Sequence, residues 1–202
     1  MARPRQFDED TALDQAMTLF WRHGYEGTSL SDLTAAMSIS RPSLYATFGN
    51  KEALFHRALG RYLEGPGARV TAALALPTAR ESVEALLSMY AEAPTTPGRP
   101  LGCLLVSGAL GCSAEAEPIR VELSQVRIAG TAALRKRLER AKREGELPDT
   151  ASTGDLARYV WTVLHGMAVD ALDGATRPQL REVAKLAMLA WPARPASGRA
   201  AT

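Results

Sequence analysis

Thr28–Lys51, TSLSDLTAAMSISRPSLYATFGNK, is the stretch that decides the fold. Ser29 stands where an N-cap hydroxyl belongs, and Asp32 three residues on makes it close to a capping box. Leu30, Leu33 and Met37 then share one helical face. The chain turns through Ser38-Ile39-Ser40. A second short helix follows, with Ser40 as its cap, Pro42 in its first turn, and Leu44 and Phe48 inward. Neither helix is long enough to persist alone, so each needs the other to pack against. What this leaves outside is Arg41, Ser43, Tyr45, Ala46 and Thr47. A short, supported helix carrying small polar residues, one Arg and one Tyr suits a DNA major groove. The pair reads as a helix-turn-helix.

Working outward, Asp8 to His23 is an amphipathic helix with Leu13, Ala16, Met17 and Phe20 at i, i+3, i+4 and i+7, stopped by Gly24. Asn50 caps a fourth helix with the stripe Leu54, Phe55, Ala58, Leu59 and Tyr62, and Gly65-Pro66-Gly67 is expected to end it. A short Ala/Leu-rich piece (68–76), a helix from Ala79 to Ala93 and a loop at 94–100 come next. Leu101 to Cys112, apolar and rich in small residues, is expected to be a buried helix. A long helix spans Glu115 to Glu144, with Ile119, Leu123, Val126, Leu134 and Leu138 on one face. Asp155–Leu172 and Pro178–Trp191 complete the set. The fold class is therefore all-α: a helix-turn-helix domain at 1–50, a connecting fourth helix at 51–64, a second helical domain at 65–192, and a stripe-free, disordered tail at 193–202.

The 202 residues are 46% hydrophobic and 23% charged, which suits a helical protein with a real core. A net charge of +2 neither demands nor excludes a nucleic-acid partner. Residues 1–60 carry six Lys/Arg against seven Asp/Glu, so any DNA affinity must come from where the cations sit rather than from how many there are. No apolar run reaches membrane-spanning length and MARPRQFDED does not read as a signal peptide, which makes the cytoplasm the expected location.

Residues 12–55, ALDQAMTLFWRHGYEGTSLSDLTAAMSISRPSLYATFGNKEALF, resemble the TetR family of bacterial transcriptional regulators. The telling pieces are Gly24-Tyr25-Glu26-Gly27-Thr28-Ser29, Leu44-Tyr45 followed by Phe48, and Lys51-Glu52-Ala53-Leu54. The resemblance implies a ligand-responsive repressor that binds a palindromic double-stranded operator as a dimer. It implies that Arg41, Pro42, Ser43 and Tyr45 lie in or beside the major groove. Tyr45, Thr47 and Lys51 would hold phosphates, and Thr28, Ser29 and Ser31 would touch the backbone or an adjacent base. Arg3 and Arg5 would form an arm near the minor groove. Arg41 suits a guanine read through O6 and N7.

In the C-terminal part the expected ligand is a largely apolar small molecule, with Met89, Tyr90, Leu104, Val126, Trp161 and His165 as candidate contacts. Apolar breadth around the last two helices (155–172 and 178–191) suggests burial on two sides, one of them a homodimer seam. The three histidines are scattered and no ligand-spaced set is visible, so neither a metal nor a cofactor is expected. Cys103 and Cys112, nine residues apart, would stand ~13 Å apart on a continuous helix, too far for a disulfide. They read as small buried hydrophobes, with a thiol-based redox regulator on the same frame as the alternative. The dense charge of Arg135-Lys136-Arg137 and its neighbours reads as a solvated helix end. A small helical enzyme is the least favoured reading, because neither GxSxG nor GxxxxGK[ST] occurs.

Overall fold

Asp8 opens the first helix: its carboxylate accepts from the backbone N–H groups of Asp10 at 3.3 Å and Thr11 at 3.2 Å. Helix α1 (Glu9–His23) then runs to Gly24, whose φ of 71° is left-handed backbone that a side chain disfavours. The computed structural model describes residues 7–92 and 98–192; Arg3, Arg5 and the 193–202 tail lie outside them. After α1 come α2 (Leu30–Ala36) and α3 (Arg41–Phe48). The link between these two contains Ser38 at φ 53°, a left-handed position occupied by a residue other than glycine.

Helix α4 (Lys51–Leu74) corrects one expectation: it passes straight through Gly65-Pro66-Gly67. An interior proline costs about 3 kcal/mol and leaves the carbonyl four residues back, Tyr62, without its helical donor. Packing on both sides offsets this. Before the break, Leu54, Phe55, Ala58, Leu59 and Tyr62 are buried in one core, and after it Ala73 is buried in another, flanked by Val70 and Leu74. Residues 68–74, expected as a separate piece, are the last two turns of the same helix.

The remaining elements are α5 (Ala79–Glu92), α6 (Leu104–Ser107), a 3-10 turn at Ala114–Ala116, α7 (Glu117–Arg143), α8 (Thr153–Leu172) and α9 (Arg177–Leu189). The helix expected over Leu101–Cys112 is thus a single turn. Gly102, at φ 74°, precedes it and Gly108 follows it, and Leu101 and Leu110 are exposed. Cys103 and Cys112 do not share a helix; the first is buried and the second partly so.

Two apolar clusters organise the molecule. One joins α1, α2, α3 and the first half of α4 around Phe20, Leu33, Leu44 and Phe55, and it also takes Leu104 and Val106 from α6 and Ile119 and Leu123 from α7. The other joins α5, α7, α8 and α9 around Leu86, Leu134, Leu164 and Leu180. Each fully buried Phe or Leu contributes about 1.5–3 kcal/mol. The N-terminal core is therefore closed in part by residues far along the chain. Hydrogen bonds tie the two parts as well: Tyr25 N–H donates to Gly108 O at 2.9 Å, and Ser113 N–H to the Glu26 carboxylate at 3.0 Å.

Arg137, expected on a solvated face, is instead buried. Its guanidinium donates to Pro77 O at 3.0 Å and Glu146 Oε1 at 3.2 Å, while the other Glu146 oxygen accepts from Ala79 N–H at the start of α5. Arg135 and Arg140 stay at the surface, paired with Glu139 and Glu144. Along α8 and α9, Tyr159, Val169, Leu172, Val183, Leu186 and Leu189 are exposed. Among the described residues no helix is long and apolar enough to cross a membrane.

Candidate nucleic-acid interface and effector cavity

Local capping sets up α2 and α3. The Ser29 hydroxyl oxygen accepts from Asp32 N–H at 3.1 Å, and the Asp32 carboxylate accepts from Ser29 N–H at 2.9 Å and from the Ser29 hydroxyl at 2.6 Å. Those hydrogen bonds, the hydroxyl's first, hold the Asp32 carboxyl below its ordinary range. Ser40 accepts from Ser43 N–H at 3.2 Å, and Pro42 sits in the first turn of α3. With Leu44 and Phe48 locked in the core, Arg41, Pro42, Tyr45 and Ala46 are exposed along the outer flank.

Of the residues expected on this surface, Arg41 and Ser31 meet directly: Arg41 Nη2 donates to Ser31 Oγ at 3.0 Å. Ser29 is exposed, and Ser43 and Thr47 are half-buried. Tyr45 keeps half of its surface, and its hydroxyl has no hydrogen bond within the described residues. Lys51 is partly buried with its ammonium 4.4 Å from the centre of the Tyr25 ring. Burial lowers its pKa, and the Glu26 carboxylate opposes the shift.

Thr28 is a correction. It is fully buried and its hydroxyl donates to Gly24 O at 2.7 Å, so it fixes the α1–α2 turn from inside instead of reaching outward. Arg57 was missed by sequence reasoning. It donates to Thr47 O at 3.2 Å, at the end of α3, lies 4.7 Å over the Phe48 ring and pairs with Glu9 at 3.4 Å. Nothing in its local sequence separates it from an ordinary surface arginine.

A cavity of about 520 Å³ opens where the two parts meet. Of the candidate contacts, Met89, Tyr90, Val126 and Trp161 line it. Two other candidates do not. Leu104 is buried in the N-terminal core, while Cys103, the extended residue before the α6 turn, and Leu105 border the cavity. His165 lies outside the wall, its ring 5.4 Å from that of Trp161. Burial, and then Arg127, hold its pKa below the ordinary histidine value.

The cavity also draws on residues that were not among the candidate contacts: Met17 and Trp21 from α1, and residues 61–67, Arg69 and Val70 from α4. On its wall the Tyr62 hydroxyl donates to Cys103 Sγ at 3.3 Å; burial, and then Cys103, push the Tyr62 phenol well above its usual value. Cys112 lies outside the wall. Its thiol is raised by burial and by Glu117, which disfavours the thiolate a redox sensor needs.

Comparison with known proteins accounts for both parts. Residues 12–58 match the family model of bacterial regulatory proteins of the tetR family, and residues 79–186 match that of the tetracyclin repressor-like C-terminal domain. The chain is 35% identical to the HTH-type transcriptional repressor ComR of Escherichia coli (strain K12) over 194 residues, 94% of this chain and 91% of ComR. It is 33% identical over 123 residues to the HTH-type transcriptional repressor BdcR of the same organism, covering 59% of this chain and 61% of BdcR. Among solved structures, a cysteine-substituted CifR complexed with 26-bp double-strand operator DNA superposes with a TM-score of 0.90 at 42% identity, covering 95% of this chain and 100% of that one. Reduced NemR of E. coli shares the fold, with a TM-score of 0.78 at 21% identity over 93% of this chain and 97% of NemR. The capped helix pair, the helical second half and these matches lead to one conclusion: the chain belongs to the TetR family of bacterial transcriptional regulators.

Proposed function

We propose that the protein is a cytoplasmic repressor that binds a palindromic operator as a twofold dimer and lets it go when a small, largely apolar molecule enters the cavity. The observation that carries this reading is the outer flank of α3. Arg41 and Tyr45 stand free of the core on a helix whose other side is anchored by Leu44 and Phe48. Arg41 reads a base edge, and Tyr45 and Lys51 fix phosphates. Lys51 does so from the first turn of α4, where free backbone amides also favour an anion. The exposed apolar residues of α8 and α9 supply a seam in which each subunit contributes two helices. Ligand coupling of this kind is worth about 1–3 kcal/mol. Arg3 and Arg5 belong to the same proposal as a minor-groove arm. No catalytic role is assigned to any residue.

Selection of genomic DNA fragments on the purified protein tests the reading. The expected product is an inverted repeat with half-sites about one DNA turn apart, ~34–36 Å. Recovery of fragments sharing no repeat, or a protein that sediments as a monomer at binding concentrations, would refute it.

A further inference from the structure

The cavity wall is chemically lopsided. Its body is apolar and aromatic, built from Trp21, Met89, Leu105, Val126 and Trp161. Its charged members are Arg61, Arg69 and Arg99 against Glu64 alone. Arg61 is already neutralised, by Asp14 at 2.9 Å and Glu64 at 3.5 Å. Arg69 and Arg99 have no ion-pair partner among the described residues. The stretches outside the described residues contain no Asp or Glu, so no acidic side chain from them is available to these two cations. Behind the wall, Arg127 donates to Leu105 O and likewise has no carboxylate partner among the described residues. A cavity of low polarity with uncompensated positive charge concentrates field on whatever occupies it.

We propose, building on the effector reading of the cavity, that its ligand is an amphipathic anion: an aromatic or long aliphatic body carrying one acidic head group that Arg69 and Arg99 hold. The body removes its surface from water against the indoles and Met89, and the head supplies the negative charge that the wall lacks. Neutral molecules of the same shape bury the same area but leave the guanidinium groups uncompensated. Cationic ones are repelled.

The test uses 1-pyrenebutyrate and 1-pyrenebutanol, which share a body and differ in head charge, titrated into the full-length protein. Energy transfer from tryptophan to pyrene is the readout, since Trp21 and Trp161 form part of the wall. The expected result is that the carboxylate binds about tenfold more tightly than the alcohol, from two partly solvated charge contacts, and that this preference shrinks as salt rises. The Arg69→Ala/Arg99→Ala double variant should bind both probes alike, and Arg69→Lys/Arg99→Lys should keep most of the preference. Equal affinities in the wild type overturn the anion assignment while leaving the cavity as an effector site. A preference that survives the double alanine variant overturns the assignment to these two arginines. Binding of neither probe sinks the effector reading, and this inference with it.

Discussion

Replacing Tyr45 by phenylalanine removes one oxygen and nothing else. The ring keeps its packing, and the lost hydroxyl has no partner within the described residues, so stability should not change. On DNA the same oxygen is assigned to a phosphate, and a hydrogen bond to an ionised acceptor contributes about 1.5 kcal/mol net. Twofold symmetry places two copies in every complex. The dimer should therefore lose about 3 kcal/mol, on the order of a hundredfold in Kd. Because no charge is removed, the slope of log K against log salt should stay as in wild type. Lys51→Gln serves as the contrast: it removes two cations per dimer and should lower that slope by about 2. Fluorescence anisotropy with the selected operator at several salt concentrations reads both quantities, and a thermal melt checks the fold. A Tyr45→Phe protein that melts like wild type and binds within threefold of it would refute the docking of α3.

Two further predictions concern the frame. Glu146→Ala leaves the Arg137 guanidinium buried without its counter-charge and should cost about 3–5 kcal/mol in urea denaturation, whereas Arg137→Met/Glu146→Leu should cost less than either single change; equal losses for single and double variants would contradict the pairing. His165 is held neutral by burial, so its folded pKa lies below the unfolded value of about 6.5. Stability should be full above that value and decline as pH falls through it toward the lowered folded pKa, and His165→Gln should flatten the part of the decline that begins near the unfolded value, as followed by urea midpoints.

The N-terminal helices were legible because their signals are local. Ser29, Ser40 and Asn50 cap the helices that follow them, and the apolar stripes of α1 and α4 end up inside. Thr28 was misread because its burial is decided by Gly24, which only the folded α1–α2 turn brings within reach of its hydroxyl. Gly65-Pro66-Gly67 carries every local sign of a helix end, yet two cores grip α4 on either side of it, and tertiary packing overrides propensity. The cavity was half visible. The stripe on α7 includes Val126, and Met89 and Trp161 fall in apolar segments of α5 and α8, but the share of Met17 and Trp21 depends on how α1 crosses α4, which no spacing encodes. Leu104 and Cys103 could not be sorted without knowing that the helix expected there shrinks to one turn with Cys103 as its extended cap.

Pro66 has a mechanical consequence. It interrupts the hydrogen-bond ladder at Tyr62, one of the residues that face the cavity, and the stretch from the proline back to Lys51 is continuous helix. That stretch is a lever of about 22 Å at 1.5 Å per residue. A bend of only about 5° at the proline swings its far tip by about 2 Å, enough to carry a lysine out of hydrogen-bonding range of a phosphate. The softest point of the shaft lies beside the chamber, and its stiff arm ends at the groove.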